Sequence, residues 1–168
     1  MAKKIAPTNA ARFAKQRGIH FTLHEYDISD GLIDALSIAA KCQIPPEIVH
    51  KTLVTRTHTG EICVFVISAT HELNLKKAAA AAGVKNLAMI HVNELLNLTG
   101  YVRGGCSPIG MKHEYRTFLD AHAMTHPLIG VSAGRKGLFM QLSPTELVQI
   151  TQATVADLVT SDITSIKL

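Results

Sequence analysis

Residues 49–68 read VHKTLVTRTHTGEICVFVIS. Two apolar, β-branched runs, Val49 to Thr57 and Glu61 to Ser68, flank His58, Thr59 and Gly60, and a short polar break with a glycine between two such runs is the pattern of a β-hairpin. Within the first arm the period of two puts Lys51 on the same side as Val49 and Leu53, with Thr52 on the opposite face. If the lysine's side faces inward, its ammonium has to find a partner, meet a ligand or suffer a lowered pKa. The alternative is a stem that snorkels to solvent. Cys63, in the second arm, sits among apolar neighbours as a buried thiol does.

Working outward from the hairpin, Pro7 and Thr8 open a capped helix that Gly18 closes, with Ala10, Ala11, Phe13 and Ala14 towards the core. In IHFTLHEY the apolar Ile19, Phe21 and Leu23 alternate with His20, Thr22, His24 and Tyr26, as in a half-buried strand. Ser29 or Asp30 is expected to cap a second helix through Leu32, Ile33, Leu36, Ile38 and Ala39, with PPE at 45–47 as a turn after it. On the far side, LKKAAAAAG is a helix on propensity, ended by Gly83, and HVNELLNLTG is a shorter one ending near Gly100. YRTFLD, PLIGVSA and GLFMQLS read as strands, the last two joined through Gly134 to Gly137. Ser143 and Pro144 then cap a final helix through Glu146, Leu147 and Ile150.

Strands arrive as hairpin-spaced neighbours, not in strict alternation with helices. The expected fold is therefore α/β of the α+β type, a mixed and largely antiparallel, barrel-like sheet surrounded by helices, in place of a doubly wound nucleotide fold. A length of 168 residues fits a single domain spanning the chain. With 47% hydrophobic residues and no low-complexity block, the composition excludes a disordered protein. The opening MAKKIAPTNAA lacks the apolar run of a secretion signal, and no stretch approaches the ~18 apolar residues of a membrane span. Three widely spaced cysteines without a C-x-x-C pair fit a reducing cytoplasm. Seventeen Lys and Arg against 13 Asp and Glu, a formal charge of +4, helps a phosphate-rich partner approach.

Two glycine-bearing loops stand out. GYVRGGCSPIGMK, residues 100–112, puts four glycines and Pro108 between apolar segments. Gly104 and Gly105 there could turn main-chain N–H groups towards a carbonyl or phosphate oxygen, although the order is neither a P-loop nor a dinucleotide fingerprint, and a ligand-free turn has the same pattern. VSAGRKG, residues 131–137, has Ser132 at its entry and Arg135 and Lys136 at its tip, where cations could track an RNA backbone or simply form a polar hairpin end. Cys106 lacks a histidine in a defined relation to it, so nothing marks it as a nucleophile. His113, His122 and His126 lack the spacing of a known metal motif, and no metal or cofactor is expected.

HKTL at 50–53, LNLKKAAAAAG at 73–83, TGYVRGGCSPIGMK at 99–112 and VSAGRKGL at 131–138 together resemble the YbaK family of aminoacyl-tRNA deacylases, in order and spacing from Tyr26 to the last helix. The resemblance implies a free-standing editing protein similar to the insertion domain of bacterial prolyl-tRNA synthetase, and most like the branch that clears cysteine from proline tRNA. It implies Lys51, Gly105 and Ser132 as catalytic residues and Tyr26, Thr52, Gly104 and Pro108 as substrate-binding ones. The implied partners are the acceptor end of an aminoacyl-tRNA and prolyl-tRNA synthetase, not DNA and not a membrane. Cys106 stands where the family pattern has an aliphatic or small residue, which argues against a family-wide thiol there. The implied chemistry is that the substrate's own thiol attacks the ester carbonyl and expels the tRNA as a thiolactone is formed, while the protein holds the conformer and supplies hydrogen-bond donors. The alternatives are water-mediated hydrolysis of Ala-tRNA(Pro) or another small aminoacyl-tRNA, and a noncatalytic module that binds tRNA or a synthetase.

Overall fold

A computed structural model describes residues 5–160. Its elements are α1 (Asn9–Gln16), β1 (Phe21–Glu25), α2 (Ala35–Cys42), β2 (His50–Thr57), β3 (Ile62–Ser68), α3 (Leu75–Ala82), β4 (Leu87–Met89), α4 (Leu95–Thr99), β5 (Arg116–Asp120), β6 (Ile129–Ser132), β7 (Leu138–Leu142), α5 (Pro144–Thr151) and β8 (Thr154–Ala156). Single turns of 3-10 helix at Pro46–Ile48, Val92–Glu94 and Ala121–Thr125 join them.

The strands form two sheets, a three-stranded one in the order β1-β7-β6 and a five-stranded one in the order β4-β2-β3-β5-β8. The first is antiparallel throughout. In the second, β2 pairs antiparallel with β3 and β4, while β3–β5 and β5–β8 are parallel. An isolated parallel bridge between Val49 and Gly130 joins the two sheets, so they curl around a shared interior without closing into a continuous barrel. The mixed α/β architecture expected from the strand pattern is the one observed.

Alternation along the strands sorts the core into layers. Val54, Val64, Val66, Leu119, Ile129, Val131, Leu138, Met140 and Leu142 point into the space between the sheets and pack with Ala10, Ala14, Tyr101 and Ile109. The opposite face of the larger sheet presents Cys63, Phe65, Ile67 and Phe118 to the alanines of α3, with the Phe65 and Phe118 rings stacked at 4.9 Å. At the corner where the sheets meet, Tyr26, Val49 and Phe139 pack under Ile38 and Ala39 of α2. Gly130 is required there, because a Cβ would fall 1.8 Å from the Phe139 ring.

Helix caps fall largely where the sequence places them. The side chains of Thr8, Asn74 and Ser143 accept from first-turn amides of α1, α3 and α5, and Gly83 and Gly100 close α3 and α4 in the left-handed region. The second helix differs from expectation. It is capped by Asp34 and starts at Ala35, whereas Ser29 and Asp30 lie in a loop before it. The reason is local: Asp27 captures the Ser29 hydroxyl and Asp30 is held by Lys41, and Gly31 has φ +76°, which no helix accommodates. Leu32 and Leu36 are consequently exposed.

Candidate functional site at the open edge of the second strand

The site follows from how the two sheets part. One edge of β2 touches β6 only at Val49–Gly130 and is taken up by β4 only from Thr55 onward. Two residues beyond this single parallel bridge on each strand stand Lys51 and Ser132, which by strand alternation share the face of Val49 and Gly130 on the two sides of the gap. From Ser132 the chain enters the 133–137 loop, where Gly134 N donates to Gly105 O at 3.0 Å and Ala133 O accepts the Thr8 hydroxyl at 2.6 Å. Tyr26 N donates to Gly137 O at 3.0 Å at the other end of that loop. Tyr26, Lys51, Ser132, Gly104 and Gly105 are thus gathered at one corner of the molecule by segments distant in sequence. Thr52 borders the same opening from the opposite face of β2, opposite Val66.

Pro108 stands apart. It is buried on the far side of its loop, against a cleft of about 410 Å³ lined also by Phe13, Arg17, Lys112 and Tyr115.

Lys51 is half-buried, and removal of its ammonium from water holds its pKa below the ordinary lysine value, a shift that the carboxylate of Glu72 partly opposes. Among the described residues its Nζ has no carboxylate within ion-pair distance. A charge kept partly dry and unpaired costs folding energy, so this is the economy of a ligand-facing group more than of a structural one. Two buried hydroxyls lack any hydrogen-bond partner among the described residues, and they are Tyr26 OH and Thr52 Oγ1. An unmet buried hydroxyl costs about 1–3 kcal/mol, so two at one corner fit a pocket finished by a ligand. Tyr26 is only 8% exposed, and its burial raises the phenol pKa, so it stays protonated and able to donate.

The glycine pair is used differently from the expectation. Gly105 N donates to Val102 O at 3.0 Å within its own turn, so this amide is not a free donor for a substrate oxyanion. Its lack of a side chain serves a close approach between loops, because a Cβ there would lie 2.7 Å from the backbone of Arg135. Gly104 has φ +89°, and a Cβ on it would meet Ile33 Cδ1 at 2.6 Å. The pair therefore locks the 100–110 loop onto the 133–137 loop and onto the segment before α2. Its role at the site is to fix the walls.

Cys106 is buried, and burial pushes its thiol up to about 11, which keeps it protonated at neutral pH. His122 Nδ1 donates to Asp120 Oδ2 at 2.8 Å and its ring stacks on His71 at 5.3 Å, while His113 lies edge-on to Tyr115. No three His, Cys, Asp or Glu side chains gather in metal-binding geometry among the described residues.

Sequence reasoning missed three participants. Lys41 Nζ donates to Asp27 O, Asp30 Oδ1 and Leu32 O at 2.6, 2.8 and 2.8 Å, and stands 5.9 Å from the Tyr26 ring centroid, tying down the loop that borders the site. Ile33 seals Gly104, and Glu72 supplies the field felt by Lys51. The one available signal was three aspartates, 27, 30 and 34, closely followed by a lysine.

Comparison with known proteins agrees with this geometry. Residues 33–150 match the model of the aminoacyl-tRNA editing domain family. Over 164 residues, 96% of this chain and the whole of the relative, the sequence is 38% identical to an Enterococcus faecalis protein provisionally named Cys-tRNA(Pro)/Cys-tRNA(Cys) deacylase EbsC. A solved structure described provisionally as a trans-editing enzyme for prolyl-tRNA synthetase superposes with a TM-score of 0.82 at 26% identity, covering 94% of this chain and all of that one. A hypothetical protein, APE2540, superposes with a TM-score of 0.83 at 25% identity, covering 90% of this chain and 99% of that one.

Proposed function

The chain belongs to the aminoacyl-tRNA editing domain family, and from that membership and the site's geometry we propose that it is a free-standing deacylase that clears cysteine mischarged onto proline tRNA. The observation that carries the reading is the half-buried Lys51, without an ion-pair partner among the described residues, at the gap between the sheets across from Ser132. Such a site offers donors and little else, and Cys106, the one thiol near the loop, is held protonated.

A cysteinyl ester needs little else. Its thiol sulfur bonds to the ester carbonyl carbon, the carbon–oxygen bond to the terminal ribose breaks, and the thiol proton ends on the ribose oxygen. The products are a cysteine thiolactone and free tRNA, and water then opens the thiolactone. Lys51 supports this step by placing positive charge where the carbonyl and leaving oxygens become negative, and the Ser132 hydroxyl is a second donor. The walls supply the remainder, since folding a flexible ester into its reactive conformer offsets a large part of such a barrier.

The substrate is recognised at its acceptor end in the cytoplasm, with prolyl-tRNA synthetase as the partner that supplies tRNA selectivity. Among the described residues no helix is long and apolar enough to cross a membrane. Purified protein is tested on Cys-tRNA(Pro) and Ala-tRNA(Pro), with the sulfur-containing product identified by mass spectrometry. Fast loss of cysteine with transient thiolactone is expected. Equal rates on both substrates, with no thiolactone, favour water-mediated hydrolysis and overturn the proposed chemistry.

A further inference from the structure

The hydrogen-bond directions along β2 single out one residue of its open edge. Val49 O accepts from Ala69 N and Thr57 N donates to Glu61 O, so odd-numbered residues of β2 direct their backbone groups to β3. Even-numbered residues face the other edge, as Val54 O does in accepting Ile90 N. The Val49–Gly130 bridge closes that edge up to His50, and Ile90 closes it again at Val54. Ile90 takes up only the Val54 C=O, so Thr52 is the residue of this stretch with both its N–H and its C=O on the uncovered edge. Its N–H and C=O face the gap, where no strand pairs with it among the described residues, and its Oγ1 is one of the two orphaned hydroxyls. The Gly105 amide, the other candidate donor, is already spent on Val102.

We propose that the aminoacyl group of the substrate docks on Thr52 as a one-residue extension of the sheet. The Thr52 N–H donates to the ester carbonyl oxygen, and the Thr52 C=O accepts from the α-ammonium. An α-amino ester carries its ammonium and carbonyl in the same relation as the N–H and C=O of a strand residue, so it matches an open strand edge as a backbone segment would. This pairing reads the α-amino acid and leaves the side chain to the walls. It also presents the carbonyl carbon between Lys51 on one face of β2 and the Thr52 hydroxyl on the other. The inference rests on the deacylase reading and adds the donor that reading lacks.

The test replaces the Thr52 amide with an ester by incorporating the α-hydroxy analogue of threonine, which removes the N–H and keeps the side chain. Deacylation of Cys-tRNA(Pro) is expected to fall roughly 10²–10³-fold, the usual loss for one oxyanion donor. The melting temperature should stay near that of the unmodified protein. The same exchange at Leu53, whose N–H faces β3, should lower the melting temperature instead. As a second readout, the amide-linked 2-aminobutyryl-3′-amino-3′-deoxyadenosine, which has no thiol, should shift the Thr52 amide resonance downfield and slow its hydrogen exchange. An ester variant with the unmodified protein's rate, or a Thr52 resonance indifferent to this probe, overturns the inference while the deacylase reading stands. Failure of the unmodified protein to deacylate either tRNA overturns that parent reading.

Discussion

The two halves of β2 make different use of the same residue types. In the C-terminal half, flanked by β3 and β4, Thr55 is fully buried with its hydroxyl donating to Cys63 O at 2.9 Å, and Arg56 is paired with Glu94 at 2.8 Å. In the N-terminal half, flanked by β3 alone, the Thr52 hydroxyl has no partner among the described residues and the Lys51 ammonium has no carboxylate within ion-pair distance there. Thr55 is satisfied by a β3 carbonyl and Arg56 by the turn that follows β4, whereas Thr52 and Lys51, on the same strand beside the same β3, are left open. Polar groups that the fold leaves unmet, at a point where it could have met them, mark where a ligand completes the structure.

That contrast can be broken by pH before any site residue is changed. His50, at the start of the open half, is 4% exposed, and burial lowers its pKa to about 4 from an ordinary value of 6.5. Between those values the unfolded chain binds a proton that the folded one refuses. Stability is therefore complete above pH 6.5 and drains away as the pH falls towards 4, by about 3 kcal/mol at most. Denaturant titrations at intervals across this range should show the loss, and His50→Gln should flatten it. The groups that act on His50 from neighbouring elements are His71, Asp120 and His126, so their variants should shift the midpoint only modestly.

Next in size is Gly105→Ala. The added Cβ lies 2.7 Å from the Arg135 backbone, and such overpacking costs about 1–3 kcal/mol. For a chain of this length that lowers the melting temperature by roughly 2–12 °C, so lost deacylation should come with lost stability. An inactive variant with an unchanged melting temperature would mean that the glycine faces the substrate directly.

The smallest effect sharpens the comparison most. Thr55→Val removes a buried hydroxyl that is hydrogen-bonded, which costs about 1 kcal/mol. Thr52→Val replaces an unmet hydroxyl with a methyl of similar shape, so calorimetry should find it neutral or slightly stabilising, with slower deacylation. Equal destabilisation by the two would show that the Thr52 hydroxyl is satisfied after all.

Much of the scaffold was legible because it rests on short-range rules. The 49–68 hairpin, the caps at Thr8 and Ser143 and the glycine stop at Gly83 all follow from residues within a turn of where they act. What escaped depends on partners far along the chain. β4 and β8 are three residues each, too short to show a period. The parallel pairing of β3 with β5 joins segments about 50 residues apart, with no turn between them to announce it. The candidate site splits the same way. Lys51, Ser132 and the glycines were legible as residues, through motif spacing and strand parity. That Gly105 approaches Arg135, that Lys41 straps the loop before α2, and that one edge of β2 is left bare between His50 and Val54 are facts of assembly.

The two cations of β2 test the account most directly. Lys51→Ala and Arg56→Ala each delete one positive charge from the same strand, one in the open half and one in the paired half, and single-turnover deacylation of Cys-tRNA(Pro) reads the consequence. The account predicts a loss of roughly 10²–10³-fold for Lys51→Ala and a near-normal rate for Arg56→Ala. Comparable rates for the two variants would contradict it.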